Sequence, residues 1–474
     1  MTGRPLAHDP QILGLTADSR RVAPGWLFAA LPGTKADGRA FIGQALAQGA
    51  VAILAPEGTP APANDAMLVT DPNPRRRFAL MAAAFHGAQP DSMVAVTGTN
   101  GKTSTAVFYR QIAKALGHRS AAIGTLGVIA DGWDNKGGLT TPDPADLHQV
   151  LAELAGRGVD HACMEASSHG LSQYRLDGVR LKAAAFTNLT RDHLDYHGDM
   201  DGYAEAKLRL FTEVMPADGV AVINADSEAA GRFAAAAPGR VLTFGRTGAD
   251  LKLVAARPEP HGQVLDLEVL GKAVTVRLPL AGTFQASNAL AALGLAIAAG
   301  LDADKATAAL EVLEGVPGRL QKVAERGNGA AVYVDYAHTP DALETVLQAL
   351  KPHVANRLSL VFGCGGDRDP GKRPQMGAIA QALADRVIVT DDNPRSEEPA
   401  AIRRAILAAA PRAAEIGDRA SAIRTAIAEL KAGDVLVVAG KGHETGQIVG
   451  TTVLPFDDAA EAAKAVKEID GGRA

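Results

Sequence analysis

Met93-Val-Ala-Val-Thr-Gly-Thr-Asn-Gly-Lys-Thr-Ser104 sets an apolar run, a glycine turn and a lysine–threonine pair in immediate succession. Residues 93–97 read as a buried strand, and 103–116, closed by Gly117 as a C′ glycine, read as a helix. A glycine turn between the two aims backbone N–H groups and a helix N-terminus at one point, the arrangement that cradles phosphate. Gly98, Thr99, Asn100, Gly101, Lys102, Thr103 and Ser104 are therefore candidate ATP contacts. Lys102 would reach the β/γ-phosphates and the Thr103 hydroxyl would face Mg²⁺. The spacing is Gly98-x-x-Gly101-Lys102-Thr103, tighter than the common G-x-x-x-x-G-K-[ST], because Val96 stands five positions before Gly101. An ordinary strand–helix turn is the alternative, and the loop alone leaves open which reaction uses the ATP.

Outward from this loop, strand candidates at 121–123, 162–164, 183–186 and 220–223 alternate with helical stretches. That alternation argues for a mostly parallel sheet covered on both faces. Residues 241–280 instead alternate apolar and polar with turn signals at 258–262 and Gly271, and are expected to form antiparallel hairpins appended to the sheet, before a helix near 286–299. After Val316-Pro-Gly318 a second strand–helix series (331–334, 358–362, 387–389, 435–438) reads as a Rossmann-like domain. Upstream, residues 1 to about 88 form a small α/β unit, with apolar runs at 26–31 and 51–54 around a helix-like 40–48 and a loop at 56–63. The expected class is α/β with three domains: 1–90, 91–316 (P-loop type, with the added antiparallel part) and 317–474. No period of 20–50 residues recurs.

Bulk composition agrees. A chain of 474 residues suggests about three domains, and 47% hydrophobic with 21% charged residues is ordinary for a globular protein. The net charge of −5 offers no basic surface for nucleic acid, so small-molecule partners are expected. Cys163 and Cys364, the two cysteines, make neither a disulfide framework nor a metal cluster, which suits a reducing compartment. The start lacks the apolar core of a signal peptide, and alanine-rich runs such as 286–299 are too short to span a bilayer. A cytoplasmic monomer without membrane insertion is expected.

Two further segments concentrate chemistry at the carboxyl ends of expected strands, where α/β sheets bind ligands. Glu165 opens Glu-Ala-Ser-Ser-His169 and offers a hard oxygen suited to Mg²⁺. Thr187-Asn-Leu-Thr-Arg-Asp-His-Leu-Asp-Tyr-His-Gly198 gathers acids and histidines in a loop, with His193 the candidate ligand of a second metal. A single histidine is more often a structural hydrogen-bonder than a ligand; it is their joint occurrence that favours a site.

In this order, Thr-Gly-Thr-Asn-Gly-Lys-Thr, Glu-x-Ser-Ser-His, Asn-Leu-Thr-x-Asp-His-Leu-Asp-Tyr-His-Gly and Tyr203-x-x-Ala-Lys207-x-x-Leu-Phe, the motifs resemble the Mur ligases over essentially the whole chain. The resemblance implies that Lys207 is carbamylated (N6-carboxylysine). Taken alone, Lys207 reads as a solvated helix lysine in 203–211, whereas a carbamate supplies the anionic oxygen that Mg²⁺ takes in place of a repelling ammonium. Lys102, Glu165, His193 and Lys207 would then be catalytic, and Thr103, Glu165, His193 and Lys207 would hold metal. Asn288 in Gly-Thr-Phe-Gln-Ala-Ser-Asn, Arg319 in Pro-Gly-Arg-Leu-Gln, and Asp335 and His338 in Val-Asp-Tyr-Ala-His-Thr-Pro would complete the ATP site. Asp335 is expected on ribose and Arg319 on the γ-phosphate.

Within the family, Thr16-Ala-Asp-Ser-Arg20, Pro24-Gly-x-Leu-Phe-x-Ala-Leu-x-Gly33 and Asp37-Gly-x-x-Phe look like the UDP-binding domain of the diaminopimelate- and lysine-adding branch, placing Ser19 near the uridine. Thr140, Thr141, Ser167, Gln173 and Arg175 match positions that hold the UDP-muramoyl dipeptide. Arg368, Asp392, Asn393, Pro394, Arg395, Gly440 and Glu444 match amino-acid contacts. Asp-Asn-Pro-Arg resembles the diaminopimelate version, and a guanidinium pairs with the distal carboxylate that lysine lacks. The expected reaction is ATP- and Mg²⁺-dependent ligation of meso-diaminopimelate to the D-Glu side chain of UDP-N-acetylmuramoyl-L-Ala-D-Glu. Folylpolyglutamate synthase, the dipeptide-adding Mur ligase, a silent nucleotide-binding regulator and a P-loop kinase are the alternatives.

Overall fold

Four parallel strands open the chain: β1 (Gly14–Thr16), β2 (Trp26–Ala29), β3 (Ala52–Pro56) and β4 (Met67–Asp71), in the order β1-β2-β3-β4. Because side chains alternate across a strand, Leu27 and Ala29 pack on one side with Leu54 and Phe78, while Phe28 packs on the other with Ile53 and Ala45. The helix Pro74–His86 starts on a proline, with the Asn73 side chain accepting from Arg76 N. The computed structural model describes residues 10–33, 36–62, 65–133, 139–260 and 262–471. The start on which the signal-peptide expectation rests lies outside these, as do the end of the 56–63 loop and residue 261 of the 258–262 turn.

The chain divides into two compact units. One runs to Leu251 and takes in Ala291–Ala306; the other comprises Lys252–Leu290 and the chain from Thr307 on. In the first unit, β5 (Ser92–Thr97), β6 (Ser120–Gly124), β7 (Gly127–Ala130), β8 (His161–Glu165), β9 (Leu181–Phe186), β10 (Val220–Asn224) and β11 (Val241–Gly245) lie in the order β11-β10-β9-β5-β8-β6-β7. The pairs β11–β10, β10–β9, β9–β5, β5–β8 and β8–β6 are parallel, and β6–β7 is an antiparallel hairpin. With β8 and β9 flanking β5, the loops that leave their carboxyl ends emerge side by side, and this positions the site.

β11 runs parallel to β10, with Ala221 opposite Val241, because the intervening helix Ala230–Ala236 returns the chain in the same direction. After β12 (Leu251–Glu259), the antiparallel pair is β13 (Gly262–Val269) with β14 (Lys272–Leu278). Its turn residues Leu270 and Gly271 both have positive φ, as a tight hairpin requires.

The second unit holds β15 (Gln321–Glu325), β16 (Ala331–Asp335), β17 (Leu358–Phe362), β18 (Arg386–Val389), β19 (Ala414–Glu415) and β20 (Val435–Ala439), in the order β15-β16-β20-β17-β18-β19. Only β15 in this sheet is antiparallel to its neighbour. Its polar composition hid it from the apolar pattern. The central strands are buried on both faces, as parallel strands under helices must be. A small hairpin, β21 (Gly446–Val449) with β22 (Thr452–Pro455), follows. Among the described residues no helix is long and apolar enough to cross a membrane.

Candidate active site

The loop after β5 is held from its side by the loop after β9. Asn188 O accepts from Thr99 N at 2.9 Å and Asn188 Oδ1 from Asn100 N at 2.9 Å, while Thr187 Oγ1 donates to Asn100 O at 2.6 Å. Thr99 Oγ1 donates to Thr190 O and accepts from Thr190 N. The approach is so close that a Cβ on Gly98 would collide with Thr187 Oγ1. Gly101, in the left-handed region at φ 89°, precedes the helix Lys102–Ala115 and gives it no side-chain cap. The first N–H groups of that helix therefore lack an internal partner and suit an anion. Lys102 Nζ folds over the loop, donating to Gly98 O at 2.9 Å and Thr99 O at 2.8 Å. Thr103 and Ser104 are buried at the same turn.

Glu165 ends β8 and is 1% exposed. Its oxygens accept from Thr125 N at 2.8 Å and Thr125 Oγ1 at 3.2 Å, both neutral donors. A carboxylate this deeply buried calls for a partner of opposite charge, and a divalent cation meets that need. Gly124, just before Thr125, has to be glycine because a Cβ would overlap the Glu165 carboxylate. Thr125 escaped the sequence reading, since nothing local marks it; only the pairing of β6 with β8 brings it to Glu165.

Lys207, in the helix Met200–Arg209, is buried at 1% exposure, not solvated as a surface helix lysine would be. Its Nζ donates to Gly98 O at 2.8 Å and lies 4.4 Å from the Tyr203 ring centroid. Burial, and next the charge of Lys102, push its pKa well below the usual lysine value. A neutral amine is the form that attacks CO₂, so this environment fits carbamate formation. Tyr203, whose hydroxyl donates to Thr99 Oγ1 at 3.3 Å, ties the same helix to the phosphate loop. His193 takes a left-handed backbone conformation (φ 52°), and its ring stands 4.9 Å from that of His169 and 6.2 Å from that of Tyr203. The expected phosphate and metal residues of the first unit thus converge on one edge of the sheet.

The expected dipeptide contacts form a second cluster around Glu165. Thr141 Oγ1 donates to Glu165 O at 2.9 Å and lies 3.0 Å from Ser167 Oγ; Thr140 Oγ1 lies 3.0 Å from Thr125 Oγ1. Arg175 donates to Thr141 O at 2.8 Å and to Gln173 Oε1 at 2.7 Å. Burial lowers its pKa, with Asp143 opposing, which favours an added anionic partner such as a phosphate or carboxylate. Ser19 sits apart from this cluster, next to β1, donating to Gln44 Oε1 at 3.2 Å.

In the second unit Asp335 ends β16 as expected, but its oxygens accept from Leu320 N at 2.6 Å and Ala337 N at 2.7 Å, so it fixes the Arg319 segment. Burial raises its pKa to about 6, with Arg319 opposing. The Arg319 guanidinium lies 4.8 Å from the Tyr336 ring centroid, and His338 Nδ1 is 2.9 Å from Tyr336 O. Asn288 Nδ2 donates to Gln285 Oε1.

The expected amino-acid residues of this unit meet around the loop after β18. Arg395, at φ 51°, donates from Nη1 to Gly366 O at 2.8 Å, and its backbone is bonded to Ile448 O and Gly450 N of the β21–β22 hairpin. Asn393 Nδ2 donates to Glu444 Oε2 at 2.8 Å. Asp392 abuts Gly440, where a Cβ would crowd Asp392 Oδ2. Pro394 O faces Gly366, where a Cβ would collide with it. Arg368, on the adjoining loop, donates to Asp367 O. Lys441, fully buried, joins this network: its Nζ donates to Asn393 Oδ1 and Glu444 Oε2, each at 3.2 Å, and to Gly446 O at 2.5 Å. The sequence reading passed over Lys441 as part of a glycine motif.

A glycine loop before a helix, a buried carboxylate and a buried lysine on one sheet edge of the first unit, and a network of charged side chains in the second, fit a nucleotide-dependent ligase. Comparison makes the class specific. The "Mur ligase family, catalytic domain" matches residues 11–86, the "Mur ligase middle domain" 96–296 and the "Mur ligase, glutamate ligase domain" 318–442. The chain belongs to the Mur ligase family. It is 58% identical to the UDP-N-acetylmuramoyl-L-alanyl-D-glutamate--2,6-diaminopimelate ligase of Caulobacter vibrioides over 98% of both chains. It is 56% identical to the ligase of the same name from Chelativorans sp., over 98% of this chain and 96% of that one. A solved structure of a ligase with this name superposes with TM-score 0.74 at 37% identity, covering 98% of this chain and 96% of that one. The MurF ligase of Thermotoga maritima in complex with ADP shares the fold at TM-score 0.66 and 20% identity, covering 98% of this chain and all of that one.

Proposed function

We propose that this enzyme joins meso-diaminopimelate to the D-Glu side-chain carboxylate of UDP-N-acetylmuramoyl-L-Ala-D-Glu, with hydrolysis of ATP to ADP and phosphate, in cytoplasmic peptidoglycan synthesis. The observation that carries the choice of amine is the array of Arg395 and Glu444 around Asn393: a cation for the distal carboxylate and an anion for an ammonium group. The names borne by the relatives support the same reading.

The chemistry has two steps. The substrate carboxylate oxygen attacks the γ-phosphorus and the bond to ADP breaks, giving an acyl phosphate. The diaminopimelate nitrogen then attacks the acyl carbon, loses a proton, and phosphate leaves. The amides of 98–104, Lys102 and Arg319 hold the transferring phosphoryl group, and Asn288, Asp335 and His338 serve the rest of the nucleotide. Thr103, Glu165, His193 and the Lys207 carbamate are the metal-holding set, and bound Mg²⁺ supplies neutralisation of phosphate charge. Ser19, Thr140, Thr141, Ser167, Gln173 and Arg175 orient the UDP-linked acceptor. Arg368, Asp392, Asn393, Pro394, Arg395, Gly440 and Glu444 orient the amine. We divide these roles among domains 1–90, 91–316 and 317–474, a division supported by the three matched segments.

Substrate labelled with ¹⁸O in the D-Glu side-chain carboxylate tests this route. Label in the released phosphate, with the tripeptide product seen by mass spectrometry, is expected; unlabelled phosphate would overturn the acyl phosphate. With ¹³C-bicarbonate, wild-type protein should show a carbamate carbon signal that Lys207→Arg lacks. The same signal in both proteins would remove Lys207 from the metal-holding set.

A further inference from the structure

At the amino ends of β6 and β8, opposite the phosphate loop, a second group of side chains converges. His118 precedes β6, and Asp160 and His161 lead into β8, whose Ser120↔His161 register sets the two segments next to each other. One ligand atom from each of His118, Asp160 and His161 lies within 4.8 Å of the other two, and the two imidazole centroids are 4.3 Å apart. Nothing in the ligase mechanism uses these residues, because β8 carries Glu165 at its other end, about 13 Å away at the rise of a strand.

We propose that His118, Asp160 and His161 form a binding site for a borderline transition-metal cation, Zn²⁺ by preference, distinct from the Mg²⁺ site of the reaction. Two imidazoles and one carboxylate are the donor set of three-ligand zinc sites that keep an open position, and they select against Mg²⁺, which prefers oxygen. The surroundings are built as a ligand's outer partners are. His161 Nδ1 is 2.9 Å from the hydroxyl of the fully buried Tyr109, which fixes that ring and leaves Nε2 as the donor nitrogen. His118 Nδ1 is 2.7 Å from Asp160 Oδ2, while Asp160 Oδ1 is buried without a hydrogen-bond partner. That unsatisfied oxygen is costly as it stands, and coordination would satisfy it.

The probe is Zn²⁺ titrated into metal-stripped full-length enzyme by calorimetry, with Co²⁺ absorption as a second readout. Wild type should bind one ion more than His118→Ala or Asp160→Asn, and Tyr109→Phe should weaken that ion about 10- to 100-fold. His118 is a partly exposed loop residue, so His118→Ala should fold and keep Mg²⁺-dependent ligase activity unchanged, which separates this site from the catalytic one. Equal Zn²⁺ stoichiometry and affinity in wild type and His118→Ala, or an absence of Zn²⁺ binding to wild type, would overturn the proposal.

Discussion

The phosphate loop of the first unit and the amino-acid loop of the second both present short motifs at strand ends, but they are supported differently. Residues 98–101 are held by the neighbouring loop 187–190 and by Tyr203 and Lys207 of a single helix. The Asn393 side chain in the loop 392–395 meets three groups: the Glu444 carboxylate, the buried Lys441 ammonium and the backbone N–H of Ile448 in the β21–β22 hairpin. On the proposed reading the first arrangement serves the ATP phosphates, and the second selects the amine through a network of side chains drawn from distant segments.

Substitutions can break this comparison. The largest effect is expected for Lys102→Ala, which removes a cation from the developing phosphate charge and should lower kcat about 10²- to 10³-fold with either half of the substrates saturating, read as phosphate release. Arg395→Ala should raise KM for diaminopimelate about 10- to 100-fold, the scale of a lost charged hydrogen-bond pair, and leave KM for ATP within about twofold. Lys441→Met should have a smaller, about tenfold, effect on the same KM and a lower Tm, because it leaves Glu444 and Asn393 without their buried donor. A Lys441→Met enzyme with normal KM for diaminopimelate would show that the network is mere scaffolding.

Acid stability gives the smallest and finest contrast. In the first unit, burial holds the His148 pKa down to about 4. The unfolded chain then binds the extra proton between about pH 4 and 6.5, so this residue's contribution is present at neutral pH and is lost as pH falls through that window. Asp335 in the second unit has the opposite sign: its pKa, raised to about 6, means that the folded state holds the proton, and stability falls as pH rises from about 4 to 6. Scanning Tm against pH for His148→Asn and Asp335→Asn should show slopes changed in opposite directions relative to wild type.

How much of this was legible follows the same division. The strand–turn–helix at 93–104 announced itself because its spacing is local, and the apolar strands of both parallel sheets followed from composition. The direction of Val241–Gly245 relative to β10 was not legible, because alternation carries no orientation; the helix at Ala230–Ala236 decides it. Thr125 and Lys441 stayed hidden for a related reason. Their roles arise from register between distant segments, and no spacing in the chain encodes them. The burial of Lys207 was likewise invisible in its helix, where polar neighbours suggested solvent.

The central claim is that the second unit reads the distal carboxylate of the amine through Arg395. Phosphate release from ATP should be measured with UDP-N-acetylmuramoyl-L-Ala-D-Glu and, in turn, meso-diaminopimelate, L-lysine and no amine, using wild type and Arg395→Ala and checking tripeptide by mass spectrometry. The account predicts product with diaminopimelate alone for wild type, and a collapse of that preference in Arg395→Ala. Comparable turnover of lysine by the wild-type enzyme would contradict it.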